Sequence, residues 1–272
     1  MRVLLLGSGG REHALAHKIS QSDKNPVLYC LPGNPGIAEI AEIVDLPMDF
    51  EMIKSFIQKT EIDCLIIGPE APLVDGIVDY FNLHLPNLKV IGPGKLAAQL
   101  EGSKSFAKAF MDKFKIPTAA YKVFNTNDLG EAIAYLDTKK APFVLKADGL
   151  AAGKGVLICR SKEEAATELK AMLQQAKFGQ AGEKVVIESF LEGIEFSVFV
   201  LTDGKNYKIL PEAKDYKRAF ENDEGLNTGG MGAVSPVPFV THQLMNKVIQ
   251  KIVEPTVKGI QHEKMNYKGF LY

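Results

Sequence analysis

Short apolar blocks alternate with amphipathic stretches along the first third of the chain. Arg2–Leu6, Pro26–Leu31, Ile62–Ile67 and Lys89–Ile91 read as strands, being mostly apolar runs bounded by turn residues. Arg11–Ser20, Phe50–Lys59 and Leu73–Leu83 carry the apolar spacing of helices. This alternation predicts an α/β unit, a parallel sheet with helices on both faces. After Gly92-Pro93-Gly94 the rhythm changes. Ser103 is placed to N-cap a helix through Phe114, which Ile116-Pro117-Thr118 stops. Lys122–Phe124, Phe143–Lys146, Val156–Cys159, Val185–Glu188 and Phe196–Leu201 read as strands. Asp128–Leu136, Lys162–Gln175 and His242–Gln261 read as helices. The second part is therefore expected to be an α+β domain built from antiparallel pieces. Lys268–Tyr272 has the pattern of a strand just beginning. A strand needs neighbours, so the chain is expected to be a fragment or to continue in the natural protein.

Composition narrows the classes. With 272 residues, 46% of them hydrophobic, there is material for one large or two ordinary domains with a sizeable core. A net charge of -1 argues against a general nucleic-acid binder. No apolar run approaches the ~20 residues of a membrane span, and MRVLLLGSGG is not a signal peptide. Cys30, Cys64 and Cys159 are far apart, and two lie in apolar runs. They read as buried, inert thiols in a reducing cytoplasm. His13 and His17 are four apart on a predicted helix, but no Glu follows the first, so there is no zinc-protease motif.

Several stretches carry candidate chemistry. Gly7-Ser8-Gly9-Gly10 joins a strand to a helix, and backbone N–H groups at a helix start favour anions. Arg11 and His13 follow in the first turn. Glu12 stands where the dinucleotide fingerprint needs a third Gly, and the second strand lacks the terminal acid, so NAD binding is not expected. Glu70, after the third strand, is placed either to bind a sugar hydroxyl or to serve as a helix-start acid. KADGLAAGKGV (146–156) is a strand–loop–strand glycine loop, not a P-loop. Its small residues let backbone close over phosphates and Lys154 adds charge. Lys146, ending an apolar strand, needs either a ligand anion or a protein carboxylate. In VVIESFLEGIEFS (185–197) the connection after Glu188 can offer backbone groups to a purine edge, and Glu195 can take ribose hydroxyls. KDYKR (214–218) is the densest basic cluster, close in sequence to the glycine loop NTGGMG (227–232). A solvated loop is the plain reading of that run; an anion site is the sharper one.

Taken in order, GSGGREHALA, PGNPG, GPEAPLVDGIVD, LEGSKSFAK, KADGLAAGKGV, ESFLEGIEFS, NTGGMGAVSP, EPTVKG and YKGFLY resemble the phosphoribosylamine–glycine ligase (glycinamide ribonucleotide synthetase) family of the ATP-grasp superfamily. The resemblance covers essentially the whole chain. It implies a preATP-grasp parallel-sheet domain over residues 1–102, then an α+β ATP-grasp domain over 103–272. The second would be incomplete at its C-terminus, with a central lobe at roughly 118–192. The implied reaction joins glycine to 5-phosphoribosylamine through glycyl phosphate, in the second step of purine synthesis. It gives glycinamide ribonucleotide, ADP and phosphate.

The resemblance also assigns roles. Lys104 and Lys146 would hold ATP phosphates, and Gly149, Gly153, Lys154 and Gly155 would form the covering loop. Glu188, Phe190 and Leu191 would be the adenine hinge and Glu195 the ribose acid. Gly9, Gly10, Arg11 and Glu70 would take phosphoribosylamine. Asp215, Lys217, Arg218, Gly229, Gly230, Met231 and Gly232 would shape the glycine and acyl-phosphate site, with Arg218 counted as catalytic beside the two lysines. Magnesium or manganese is expected, on ligands beyond Tyr272, so a chain with nothing after Tyr272 is expected to be inactive. The basic segment reads DYKR where the family pattern has DHKR. A monomer without nucleic-acid or membrane partners is expected. Rival readings are another ATP-grasp carboxylate–amine ligase and a noncatalytic nucleotide-binding fragment.

Overall fold

The computed structural model describes residues 1–24, 26–151, 155–175, 177–221 and 224–272, except the side chains of 180, 226 and 227. In chain order the elements are β1 (Arg2–Gly7), α1 (Gly10–Ser20), β2 (Val27–Pro32), β3 (Glu42–Ile43), α2 (Phe50–Thr60), β4 (Cys64–Ile67), α3 (Glu70–Asp75), α4 (Ile77–His84), β5 (Lys89–Pro93) and α5 (Lys95–Gly102). They continue with α6 (Lys104–Lys113), β6 (Tyr121–Asn125), α7 (Leu129–Leu136), β7 (Phe143–Ala147), β8 (Val156–Cys159), α8 (Lys162–Gln174) and β9 (Lys184–Ser189). Last come β10 (Val200–Thr202), β11 (Tyr207–Ile209), β12 (Lys214–Phe220), β13 (Glu224–Val234), α9 (His242–Val248), α10 (Glu254–His262) and β14 (Tyr267–Leu271). The chain forms two compact units, Met1–Ala98 with Thr202–Gly204 and Lys264–Phe270, and the remainder. Among the described residues no helix is long and apolar enough to cross a membrane.

In the first unit β3, β2, β1, β4 and β5 lie side by side in that order, all parallel, and β14 pairs antiparallel with β5. Successive strand residues point to opposite faces, and helices cover both. Leu4, Leu6, Leu65 and Ile67 pack with Ile53, Ile57, Ile77 and Phe81. Val3, Leu5, Cys30 and Cys64 pack with Ala16 and Ile37. Burial on both faces explains why these strands read as apolar runs rather than alternating ones. The strand order reverses at β1, whose neighbours are β2 and β4, and open α/β sheets bind ligands beyond the carboxyl ends of the strands at such a point. One predicted helix, Leu73–Leu83, is two: Gly76, at φ +100°, ends α3 and starts α4. α5 was not expected from the sequence.

In the second unit β6, β9, β7 and β8 form an antiparallel sheet. Phe124, Leu145, Val185 and Ile187 bury one face under Leu136 of α7 and Leu169 of α8. Ser103 N-caps α6 as expected, accepting the N–H of Phe106 at 3.2 Å. β12 and β13 make a two-stranded antiparallel ribbon, irregular between Tyr216 and Phe220. NTGGMG, expected as a loop, thus lies in a strand. The expected strand Phe196–Leu201 shrinks to β10 and an isolated bridge between Ser197 and Ala213. The long helix His242–Gln261 is present as α9 and α10 joined through a π turn at Ile249–Val253. Pro255 follows that turn; it has no N–H to donate and interrupts the regular ladder.

Candidate functional site

At the end of β1 the chain turns through Gly9, the N-cap of α1. The Gly9 N–H donates to Glu12 Oε2 at 2.7 Å. Glu12 is only 5% exposed, and three glycines make its space. A Cβ on Gly7 would lie 2.5 Å from Glu12 Cγ, one on Gly9 2.8 Å from Oε2, and one on Gly68 2.3 Å from Oε1. The glycine-rich turn is therefore explained by a carboxylate of the chain itself, placed where the sequence reading put a ligand anion. Gly10 remains open, with nothing within 4 Å of an added Cβ.

Arg11 spans the ends of β1 and β4. Its Nε donates to Glu12 Oε1 at 3.0 Å, and its terminal nitrogens reach the Gly68 carbonyl at 2.5 Å and Glu70 Oε1 at 3.2 Å. Partial burial works against the guanidinium charge, but Glu12 and Glu70 outweigh it and raise the pKa. Asn34 of the PGNPG turn donates to the Ser8 carbonyl at 2.9 Å and caps the Ile37 N–H. His13 packs on Gly36, where a Cβ would come within 2.3 Å of its ring. Gly9, Gly10, Arg11 and Glu70 are thus brought together at the strand ends.

In the second unit the loop after β7 is tied to the start of α6. Asp148 accepts the N–H of Ser105 at 2.5 Å and the hydroxyl of Ser103 at 3.0 Å. The Lys104 N–H donates to the Asp148 carbonyl at 3.0 Å, and Lys104 Nζ to the Gly149 carbonyl at 3.1 Å. Lys146, at the end of β7, lies 3.0 Å from Glu188 Oε2 on β9. The same oxygen lies 3.2 Å from Nζ of Lys108. The side chains of Lys108 and Glu188 are each 7% exposed and that of Lys146 28%. Burial lowers the pKa of Lys104, and the Lys146 ammonium adds to the effect against Asp148, Glu101 and Glu188.

The glycine loop is strand–loop–strand, with Lys146 facing Val156 across the β7–β8 ladder. Its base is closed by Ala147 N–H to the Gly155 carbonyl at 2.8 Å and Gly149 N–H to the Ala181 carbonyl at 3.2 Å. Gly149 and Gly155 are needed sterically: a Cβ would meet Ala181 Cα at 2.9 Å or Ala151 Cβ at 2.7 Å. Gly153 and Lys154 lie outside the described residues. Beyond Glu188, Phe190 and Leu191 follow β9 with exposed side chains.

Lys217 Nζ lies 3.3 Å from both Glu195 Oε1 and Asp215 Oδ2. Burial opposes its charge, but Glu195 and Asp215 prevail and raise its pKa. Asp215 Oδ1 is buried and has no hydrogen-bond partner among the described residues. Arg218 does not join this group; it donates instead to the Gly225 carbonyl at 2.8 Å within the ribbon. Thr228 donates to the Lys217 carbonyl at 2.8 Å and accepts the Gly230 N–H at 3.1 Å. Among the described residues nothing lies within 4 Å of a Cβ added at Gly229, Gly230 or Gly232, and Met231 is exposed; Gly230, at φ +133°, needs glycine for its backbone, whereas no packing demands Gly229 or Gly232.

Residues 1–101 match the family model of the phosphoribosylglycinamide synthetase N domain, and residues 102–272 that of the phosphoribosylglycinamide synthetase ATP-grasp (A) domain. The chain belongs to the phosphoribosylglycinamide synthetase family. Its fold is a parallel-sheet N-terminal domain and an ATP-grasp domain. It is 48% identical over 275 residues to a phosphoribosylamine–glycine ligase of Pasteurella multocida, covering 100% of this chain and 63% of that protein. A phosphoribosylamine–glycine ligase of Caldanaerobacter subterraneus is 46% identical over 273 residues, again over the whole chain and 64% of the relative. The crystal structure of phosphoribosylamine–glycine ligase from Thermotoga maritima superposes with a TM-score of 0.83 at 35% identity, over 99% of this chain and 64% of that one. The chain thus spans a little under two thirds of these synthetase-family relatives.

Sequence reasoning missed several residues that the structure places against the candidate site residues. Glu12 was noticed only as a departure from a dinucleotide fingerprint. Asp148, next but one to Lys146, and Lys108 were passed over. Lys108 follows Lys104 by four residues, which places both on one helix face and could have drawn attention to it. Among the described residues no group of three or more His, Cys, Asp or Glu is arranged to hold a metal ion.

Proposed function

We propose that the chain serves the ATP-dependent ligation of glycine to 5-phosphoribosylamine in purine biosynthesis, in the cytoplasm. The matches to both synthetase domain models carry this reading. The cluster of Lys104, Lys146 and the Gly149–Gly155 loop base supports it, because two partly exposed ammoniums converge where backbone can close over phosphates. The division of labour follows residues 1–102 for the amine and 103–272 for ATP.

Each group then has a task. Lys104 and Lys146 bind the triphosphate and offset charge as the γ-phosphoryl group moves. Gly149, Gly153, Lys154 and Gly155 cover it. Backbone at Glu188, Phe190 and Leu191 holds adenine, while the Glu188 side chain stays with its lysines. Glu195 takes the ribose. A glycine carboxylate oxygen attacks the γ-phosphorus, the P–O bond to ADP breaks, and glycyl phosphate forms. The amine of phosphoribosylamine then attacks the acyl carbon, phosphate leaves with the C–O bond, and the nitrogen loses a proton.

Asp215 Oδ1, buried without a partner among the described residues, is suited to the glycine ammonium, since an unmet buried acceptor is costly. Lys217, Arg218 and Gly229–Gly232 line the acyl phosphate. Gly10, Arg11 and Glu70 receive phosphoribosylamine; Gly9 contributes space rather than its N–H. Magnesium, when bound, would share the phosphates' charge; among the described residues no group of three or more His, Cys, Asp or Glu is arranged to hold it. The test uses glycine labelled with heavy oxygen in its carboxylate. Label recovered in the released phosphate is expected; phosphate free of label, with product formed, rejects the acyl-phosphate route.

A further inference from the structure

We propose that Lys108 is a positioning residue: by sharing the Glu188 carboxylate it sets how much of the Lys146 charge is left for a phosphate. This rests on the reading of Lys146 as a phosphate ligand. The geometry is a chain of three side chains from three elements. Lys108 comes from α6, Glu188 from β9 and Lys146 from β7, and both ammoniums meet the same carboxylate oxygen at 3.2 and 3.0 Å.

The two lysines differ in what else they touch. Lys108 is buried and has two further acceptors, Thr118 Oγ1 at 2.7 Å and the Ala119 carbonyl at 3.4 Å. An ammonium has three donors, so Lys108 is fully committed inside the protein. Its Nζ also lies 5.3 Å from the centre of the Tyr121 ring. Lys146 is the more exposed member, beside the loop that follows β7. One carboxylate divided between two ammoniums leaves one positive charge uncompensated, and burial places that charge on Lys146, the member able to meet a ligand. Without Lys108, Glu188 would pair with Lys146 alone and cancel its charge.

The test is ATP binding in the presence of magnesium, by calorimetry on the natural polypeptide carrying this chain, with four proteins: unsubstituted, Lys108→Met, Glu188→Gln and the double variant. Lys108→Met is expected to weaken ATP binding about tenfold, the scale of one hydrogen bond to a charged group. In the Glu188→Gln background the same change is expected to alter binding by less than about threefold, because the residue through which Lys108 acts is gone. A merely structural or long-range role would give the same factor in both backgrounds, and that result overturns the proposal. Should Lys108→Met lack a cooperative melt, Lys108→Gln carries the same expectation, since it keeps a donor but no charge. Unsubstituted protein that binds no ATP overturns the phosphate reading and this proposal with it. Binding that Lys108→Met leaves unchanged overturns this proposal alone.

Discussion

Glu12 Oε2 accepts the N–H of Gly9 at 2.7 Å, across the first turn of the helix that Gly9 caps. The carboxylate satisfies an end group that would otherwise call for an outside anion. It also holds Arg11, whose guanidinium ties the end of β1 to the end of β4.

Glycines around that carboxylate should differ sharply in tolerance. Gly68→Ala puts a Cβ 2.3 Å from Glu12 Oε1, and is expected to cost about 1–3 kcal/mol, as overpacked sites do. Gly10→Ala, in open space at the first helical position, is expected to be neutral or to stabilise by roughly 0.5–1 kcal/mol. Urea titration of both variants checks this. Equal effects would mean that Glu12 does not fill the turn.

The lowered pKa of Lys104 gives a signed pH dependence. Burial, aided by Lys146, disfavours its charge in the folded protein. It therefore loses its proton below the ordinary lysine value of about 10.4. Between the lowered folded pKa and that value the unfolded chain binds more protons, so this group's contribution to stability rises with pH. ATP affinity moves the opposite way and falls through the same window. On the alkaline side ATP binding should draw in a proton, visible as a dependence of calorimetric heat on buffer ionisation. Lys104→Arg should remove that uptake. Uptake unchanged in the variant would assign the proton elsewhere.

Burial raises the Cys30 and Cys159 thiols to about 11, with Glu12 adding to the effect at Cys30 and Glu164 at Cys159. Little thiolate forms near neutral pH, and neither sulfur is accessible. Iodoacetamide should label these positions slowly in buffer and rapidly in denaturant. Fast labelling of the native protein would contradict their burial.

At the ribbon, Asp215→Asn is expected to raise the KM for glycine about tenfold, the scale of a hydrogen bond to a charged group, while the KM for ATP changes little. Steady-state kinetics with each substrate varied in turn give the split. Equal rises in both constants would point to a collapsed ribbon instead of a lost ammonium contact.

The sequence exposed what local pattern decides. Apolar runs closed by glycine placed β1, β2 and β4, and Ser103 marked the start of α6, because caps and burial periodicity are local. The strand–loop–strand form around KADGLAAGKGV was legible for the same reason. Gly76 sat unnoticed inside an apolar helical run, where only its φ reveals a break. NTGGMG has little strand propensity, and its extended form comes from pairing with β12, a contact between segments. Lys108, Glu188 and Lys146 are far apart in sequence, so their shared contact could not be read from spacing. Likewise, Gly68 makes room for Glu12 from 56 residues away, so the part Glu12 plays in the turn is not legible from its local motif.

The most direct measurement is ADP release with ATP, magnesium, glycine and freshly generated phosphoribosylamine, each omitted in turn, on the natural polypeptide carrying this chain. ADP release that requires both glycine and the amine is the expected result. A well-folded protein that releases no ADP with these substrates, or releases it equally without glycine, would contradict the ligase reading.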